Sequence, residues 1–242
     1  MILIAGQAGV GKSTLAKLIA EEVFKLGQKP IFLSFAGPLK EEASRRGYSK
    51  EDNPGKYREY CQEIGAARRV DDPDYWIMKF DTILKQVVAD EKTDIEASAK
   101  YWERVVIVDD CRYVNELAYG VLYSATTLFM AYGDRAIEDY EWRKHPSEAM
   151  SQSLEDGEDI LLHQFSDIIY NDSSKKDLLK IVKANVPIWC GTEIETDAQP
   201  AEALPLLRDI MDNLMDLLFL SDPEEEEEET EDEDEYTDDS DY

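Results

Sequence analysis

Met1–Ala5 is a short, wholly apolar run that breaks at Gly6, the pattern of a strand buried on both faces of a parallel sheet. The period then changes. Leu15, Leu18, Ile19 and Val23 recur at helical spacing and predict a helix over Lys12–Phe24 that Gly27 closes. Pro30–Phe35 reads as a second strand and Lys40–Arg46 as a helix. A polar loop at Gly47–Lys56 and a further helix at about Tyr57–Arg69 come next. Asp72-Pro73 predicts a helix start, an N-cap followed by proline in the first turn. Trp76, Ile77, Phe80, Ile83, Leu84 and Val87 would form the apolar stripe of that helix.

Asp90–Lys100 is polar and reads as a surface excursion. Val105-Val106-Ile107-Val108, ending in Asp109-Asp110, is the strongest internal strand signal. A helix near Val114–Tyr119, a strand near Thr127–Tyr132, a short strand at Ile168–Tyr170 and a helix over Lys176–Val182 continue the alternation. Gly133–Ser153 has no clear period and is expected to be a lid. Leu206, Leu207, Ile210, Met211, Leu214, Leu217 and Leu218 mark an amphipathic helix at about 204–220. Aspartates among its apolar positions favour docking on the body over membrane burial. Strands alternating with helices predict an α/β fold, a mainly parallel sheet covered on both faces.

Charge refines this division. Of 54 acidic and 26 basic residues, 15 acidic and no basic ones lie between Ser221 and Tyr242, so the first 220 residues carry 39 against 26, a net −13. The expected organisation is one domain over 1–220 and a disordered polyacidic tail over 221–242, which has too few apolar residues to form a core. An acidic body disfavours nucleic-acid binding through the phosphate backbone. Cys61, Cys111 and Cys190 are too few for a disulfide framework, and His145 and His163 too few for a histidine metal site. The opening segment lacks the basic start of a secretory signal, and no apolar run of about 18 residues occurs. A cytoplasmic location is expected.

Gly6-Gln7-Ala8-Gly9-Val10-Gly11-Lys12-Ser13 matches G-x-x-x-x-G-K-[ST] at every fixed position. The glycines let backbone N–H groups converge on phosphate oxygens, and the following helix presents its N-terminus to the same anion. Expected nucleotide contacts are Gly6, Ala8, Gly9, Val10, Gly11, Lys12, Ser13 and Thr14. Lys12 would meet the β/γ-phosphates, and the Ser13 hydroxyl would join Mg²⁺. Asp109 and Asp110 supply a strand-end carboxylate for the same metal. Extended geometry would point them to opposite faces, and a strand ending in aspartate also serves as a common helix N-cap.

A phosphate loop does not separate a kinase from other nucleotide enzymes. No N-K-x-D sequence is present to select guanine, and the chain is short for a motor. A small-molecule kinase needs a second anion pocket with cationic side chains. Candidates are Lys40, Arg58, Arg68, Arg69, Arg112, Arg135 and Arg143, although Arg68 and Arg69, adjacent on a helix, cannot both face one pocket. Trp76 is spaced like a core residue, and His145 beside Pro146 is placed to cap a turn.

Several blocks resemble the bacteriophage-type deoxynucleoside monophosphate kinases of the three-layer P-loop kinase fold. They are the phosphate loop, Phe35-Ala36-Gly37-Pro38-Leu39-Lys40, Cys61-Gln62-Glu63-Ile64-Gly65 with Arg68, Asp72-Pro73-Asp74-Tyr75-Trp76, Asp109-Asp110-Cys111-Arg112-Tyr113-Val114-Asn115-Glu116 and His145-Pro146-Ser147-Glu148. They occur in the same order over about residues 1–182. The resemblance implies Mg²⁺-dependent transfer of the γ-phosphoryl of ATP to a deoxynucleoside monophosphate. It implies Asp110 and Arg112 beside the acceptor or transferring phosphate; with Lys12 of the loop and Arg143 of the expected lid, these are the expected catalytic residues. Phe35, Lys40, Arg58, Arg68, Trp76, Asp110 and Arg112 would line the acceptor site, Ser13, Asp109 and Asp110 the metal, and Asn171 the adenine. Gly37 stands where members often carry aspartate.

Other expectations stay open. The acceptor could be a modified base in DNA or another phosphorylated metabolite. Alternatively, the chain could be a nucleotide-dependent interaction protein whose tail engages a basic partner. A homodimer is also compatible with the sequence.

Overall fold

The computed structural model describes residues 1–97, 103–132, 145–155, 159–172 and 174–191, together with Pro205. Of the expected lid over 133–153, residues 133–144 with Arg135 and Arg143 lie outside the described residues, as do most of the expected helix at 204–220 and the acidic tail. The rest of the lid segment, 145–153, is a 3-10 turn and a helix with Met150 buried in the core.

Five strands, β1 (Ile2–Ala5), β2 (Lys29–Leu33), β3 (Arg104–Cys111), β4 (Thr126–Ala131) and β5 (Asp167–Tyr170), form one all-parallel sheet in the order β2-β3-β1-β4-β5. Eight helices connect or follow them among the described residues. They are α1 (Lys12–Lys25), α2 (Gly37–Arg45), α3 (Pro54–Asp71), α4 (Tyr75–Ala97), α5 (Val114–Leu122), α6 (Ala149–Glu155), α7 (Asp159–Leu162) and α8 (Lys175–Trp189). A 3-10 turn, Pro146–Glu148, precedes α6.

Strand alternation assigns the two faces of the sheet. On one face Leu3, Ala5, Val106 and Val108 pack under Ile77, Phe80 and Leu84 of α4 and Leu117 and Tyr119 of α5. On the other, Ile2, Ile4, Val105 and Ile107 meet Leu15, Leu18, Ile19 and Val23 of α1 and Leu178, Val182 and Val186 of α8. Each of these buried aliphatic side chains contributes about 1.5–3 kcal/mol of transfer free energy. β1 is apolar throughout because, at the centre of the sheet, it has helices on both sides.

Several boundaries differ from the sequence pattern. The second strand ends at Leu33, because the Asp110 carboxylate draws the backbone N–H groups of Phe35 and Ala36 into a turn. Asp72 closes α3, and α4 begins at Tyr75. The Asp72 carboxylate accepts from Asp74 N–H at 3.0 Å, so it caps a turn rather than the helix. The polar stretch read as a surface excursion continues α4 to Ala97, with good helix formers such as Glu91, Lys92, Glu96 and Ala97. Ile83, placed in the apolar stripe, is 37% exposed. The helix expected over Lys176–Val182 runs on to Trp189, with Pro187 in its last turn.

One polar cluster joins the two helices on the first face. Asp81 of α4, 4% exposed, accepts from Tyr119 Oη at 3.0 Å and from Tyr123 Oη. Lys85 lies 3.0 Å from its other oxygen. Burial raises both phenols well above the usual tyrosine range, with Asp81 adding to the shift. Asp81→Ala, which removes the shared acceptor of two buried hydroxyls, is expected to cost about 2–4 kcal/mol in urea unfolding. Tyr123→Phe, which leaves Asp81 paired with Tyr119 and Lys85, should cost less.

Candidate functional site

The segment Gly6–Gly11 leaves the central strand and turns directly into α1. At Gly6 (φ +139°) a Cβ atom would sit 2.3 Å from the Met130 carbonyl oxygen, so β4 leaves no room for any side chain. Gly11 (φ +113°) precedes the first residue of α1, and a Cβ there would meet Asn171 Nδ2 at 2.8 Å. Loop carbonyls are held from the ends of neighbouring strands. Tyr132 Oη donates to Ala8 O at 2.6 Å, and Asn171 Nδ2 donates to Val10 O at 2.6 Å. These two bonds restrain the loop from its neighbours, and its N–H groups with the first turn of α1 are the donors an anion would meet.

Lys12 is buried at the start of α1, its Nζ donating to Gly6 O at 2.5 Å and Gln7 O at 2.7 Å. Burial lowers its pKa to about 8. Nearby Arg112 adds to the lowering, and Glu148 and Asp109 oppose it. Ser13 and Thr14 lie exposed beside it.

The paired aspartates separate through an irregularity in the sheet. Leu3 pairs with Val108 and Ala5 with Cys111, so β3 carries one residue more than β1 across Asp109-Asp110. Such a bulge re-aims the side chains of the strand that contains it. Asp110 is occupied by the β2–α2 turn. It accepts from Ser34 Oγ at 2.5 Å, Phe35 N–H at 2.9 Å and Ala36 N–H at 3.1 Å, and Lys40 Nζ is 3.6 Å away. Asp109, half-buried, makes no hydrogen bond or ion pair among the described residues and acts electrostatically on Lys12. No group of three or more His, Cys, Asp or Glu side chains placed to hold a metal occurs among the described residues.

Beyond the strand end, Arg112 pairs with Glu148 of the 3-10 turn, and its Nη1 is 3.5 Å from Ser147 Oγ. The second Glu148 oxygen accepts from Ala8 N–H of the loop at 2.7 Å. His145 caps this turn, accepting from Ser147 N–H at 3.2 Å; burial lowers its pKa. Glu116, 2% exposed, accepts from Arg112 N–H at 2.7 Å and Tyr113 N–H at 3.2 Å and lies 3.4 Å from Arg69. Burial pushes its pKa up to about 7, against the opposing pull of Arg69. The Arg69 guanidinium also stacks 4.1 Å above the Tyr113 ring.

Arg69, Arg112, Tyr113, Asn115, Pro146 and Met150 line a cavity of about 260 Å³. It carries two guanidinium groups, an aromatic ring and an amide side chain. Asn115 is fixed there by donating to Pro73 O and to Asp74 Oδ1.

The structure brings together Lys12, Asp109, Arg112 and the loop, with Asn171 as a brace. Other expected residues lie elsewhere. Phe35 is fully buried against Phe80 at 4.5 Å, and Trp76 is 2% exposed, donating to Gly65 O at 3.2 Å; both serve the core. Arg58 is exposed on α3. Arg68 lies over the Tyr75 ring at 5.3 Å, and its neighbour Arg69 faces the cavity instead. Lys40 reaches Ser34 and Asp110, outside the cavity. Arg143 falls outside the described residues.

Sequence reasoning assigned no role to Glu148, Glu116 or Tyr132. The only signal for the two glutamates was their place in motif blocks, and Tyr132 gave none, because its role depends on β4 lying beside β1.

Glu116 gives the site a pH dependence. Its folded pKa exceeds the unfolded value of 4.5, so its contribution to stability is full below that value and is lost as pH rises through about 7. Relative to Glu116→Gln, the wild-type melting temperature should therefore fall by a few degrees between pH 5 and pH 8. A constant difference in a calorimetric scan series would contradict this placement of Glu116. Comparison with protein-family models and with curated proteins finds no match for this chain.

Proposed function

We propose that this protein is a phosphotransferase that moves the γ-phosphoryl group of ATP onto a nucleoside monophosphate, with a deoxynucleoside monophosphate the acceptor favoured by the motif resemblance. One observation carries the reading: an amide-rich loop with a buried lysine is joined through Glu148 to Arg112, which together with Arg69 places two guanidinium groups on a separate cavity. A single anion would need one such place, and a reaction between two phosphates needs two. At about 260 Å³ the cavity is near the small end of ligand pockets, which favours a mononucleotide over a polymer.

Gly6–Thr14 would cradle the β- and γ-phosphates through backbone N–H groups, and Lys12 would turn from the Gly6 and Gln7 carbonyls to a phosphate oxygen. Arg69 would bind the acceptor phosphate, with Tyr113 and Asn115 beside its sugar and base. Arg112, between the loop and the cavity, would neutralise charge on the transferring group. An oxygen of the acceptor phosphate attacks the γ-phosphorus. The bond to the β,γ-bridging oxygen breaks, and ADP leaves with the electron pair. An ionised phosphate is already a nucleophile, so no general base is required.

Asp109 and Ser13 fit a magnesium site. One is a half-buried strand-end carboxylate without a protein partner among the described residues, and the other an exposed hydroxyl at the start of α1. Mg²⁺ takes few protein ligands and completes its shell with phosphate oxygens and water, and when bound it neutralises phosphate charge. Asp110 would act from outside, fixing the β2–α2 turn.

Lys12→Ala should lower phosphoryl transfer at least about 100-fold while leaving the melting temperature unchanged or higher, because it removes a buried ammonium. Near-wild-type turnover of dAMP, dGMP, dCMP or dTMP with labelled ATP would refute the mechanism. Since Lys12 has a pKa of about 8 in the free protein, a bound polyanion must raise it. ATP binding at pH 8.5 should take up a proton, seen as a dependence of calorimetric heat on buffer ionisation enthalpy. Lys12→Ala should abolish that dependence.

A further inference from the structure

A carboxylate already sits on the loop. Glu148 is 2% exposed, with one oxygen accepting from Ala8 N–H at 2.7 Å and the other paired with the Arg112 guanidinium. It is not a loosely draped surface acid. The 3-10 turn that carries it is capped by His145, whose ring also contacts Ser147 Oγ at 2.8 Å. Both oxygens are satisfied, as a buried carboxylate requires.

Glu148 thus links an amide of the loop to Arg112, which lines the cavity. A phosphoryl group passing from the loop to an acceptor in that cavity would travel between these two donors. A carboxylate and a terminal phosphate both present anionic oxygens to N–H donors, and they cannot occupy the same donors together. Their charges would also repel at this separation.

We propose that Glu148 is a specificity-determining residue that distinguishes triphosphate from diphosphate by holding the place of the terminal phosphate. A triphosphate must displace the carboxylate from Ala8 N–H and Arg112, whereas a diphosphate, reaching only the deeper amides and Lys12, leaves it seated. Once the γ-phosphoryl has moved to the acceptor, Glu148 returns to its donors, and ADP, which does not use them, is left unaffected. The inference rests on the reading of Gly6–Ser13 as a phosphate-binding loop.

Titration calorimetry of the full chain with Mg-ATP and Mg-ADP, without acceptor, tests it. Glu148→Gln and Glu148→Ala should each bind ATP about tenfold more tightly than wild type, the order expected for removing one charge-assisted competitor. ADP affinity should change by less than about twofold. Melting curves establish that each variant is folded. Wild-type protein supplies a readout that needs no variant: amide exchange across residues 145–155 should quicken with ATP and stay unchanged with ADP. Unchanged or weaker ATP binding in folded variants, or equal exchange with both nucleotides, overturns the role of Glu148 while leaving the loop intact. Failure of folded wild type to bind either nucleotide overturns the loop reading itself.

Discussion

Met130 and Gly6 approach so closely that a single methyl group at position 6 would lie 2.3 Å from a carbonyl oxygen. This contact depends on β4 lying in register beside β1, with Ala5 opposite Phe129. It forces the chain to leave the sheet sharply and enter α1 within a few residues. The helix start, the buried Lys12 and the amides between them are therefore positioned by sheet packing rather than by the loop's own side chains. Residues remote in sequence, Tyr132 and Asn171, complete the restraint by holding two loop carbonyls. Rigid support of this kind separates a preorganised anion site from a flexible glycine turn.

Electrostatics around the loop is a balance of opposed charges in little water. Lys12 and Arg112 repel each other, and Glu148 and Asp109 offset that repulsion from two sides. Glu116 sits behind, its carboxylate divided between the backbone of Arg112 and Tyr113 and the Arg69 guanidinium. One acidic residue thus fixes the chain that carries Arg112 and also draws Arg69 toward the same cavity. Two cations near one small pocket would be costly without such carboxylates. The cluster is compatible with a stable empty protein because each positive group has a negative neighbour that a polyanion can outcompete.

The fold was legible in the sequence where hydrophobic period was strong. All five strands follow from runs such as Ile2–Ala5 and Val105–Val108, because a parallel sheet covered on both faces demands continuous apolar strands. The starts of α1, α5 and α8 fall within a residue of the periodic signal, whereas α6 and α7 had none. Four features were not legible. The bulge at Asp109-Asp110 depends on the register between β1 and β3, which no local pattern encodes, and it accompanies the different partnering of the two aspartates among the described residues. The assignment of Arg69 rather than Arg68 to the cavity depends on the rotation of α3. Phe35 and Trp76 belong to motif blocks, yet their aromatic surface is absorbed by the core. Glu148 lay within a quoted block, but nothing in its neighbours indicated a contact with Ala8 across 140 residues.

The whole-chain charge of −28 bears on substrate class in a graded way. At physiological ionic strength charges act over about 8 Å, so a small anion at the loop responds chiefly to Lys12, Arg112, Arg69 and the carboxylates beside them. A nucleotide chelated by magnesium carries a reduced charge and meets only this local field. A polynucleotide would run its phosphates across many Debye lengths of acidic surface, gaining little from the few cations at the cavity. The same composition that discourages a polymer therefore bears little on the mononucleotide proposed to bind at this loop, because screening confines electrostatic recognition to groups that can approach one another closely.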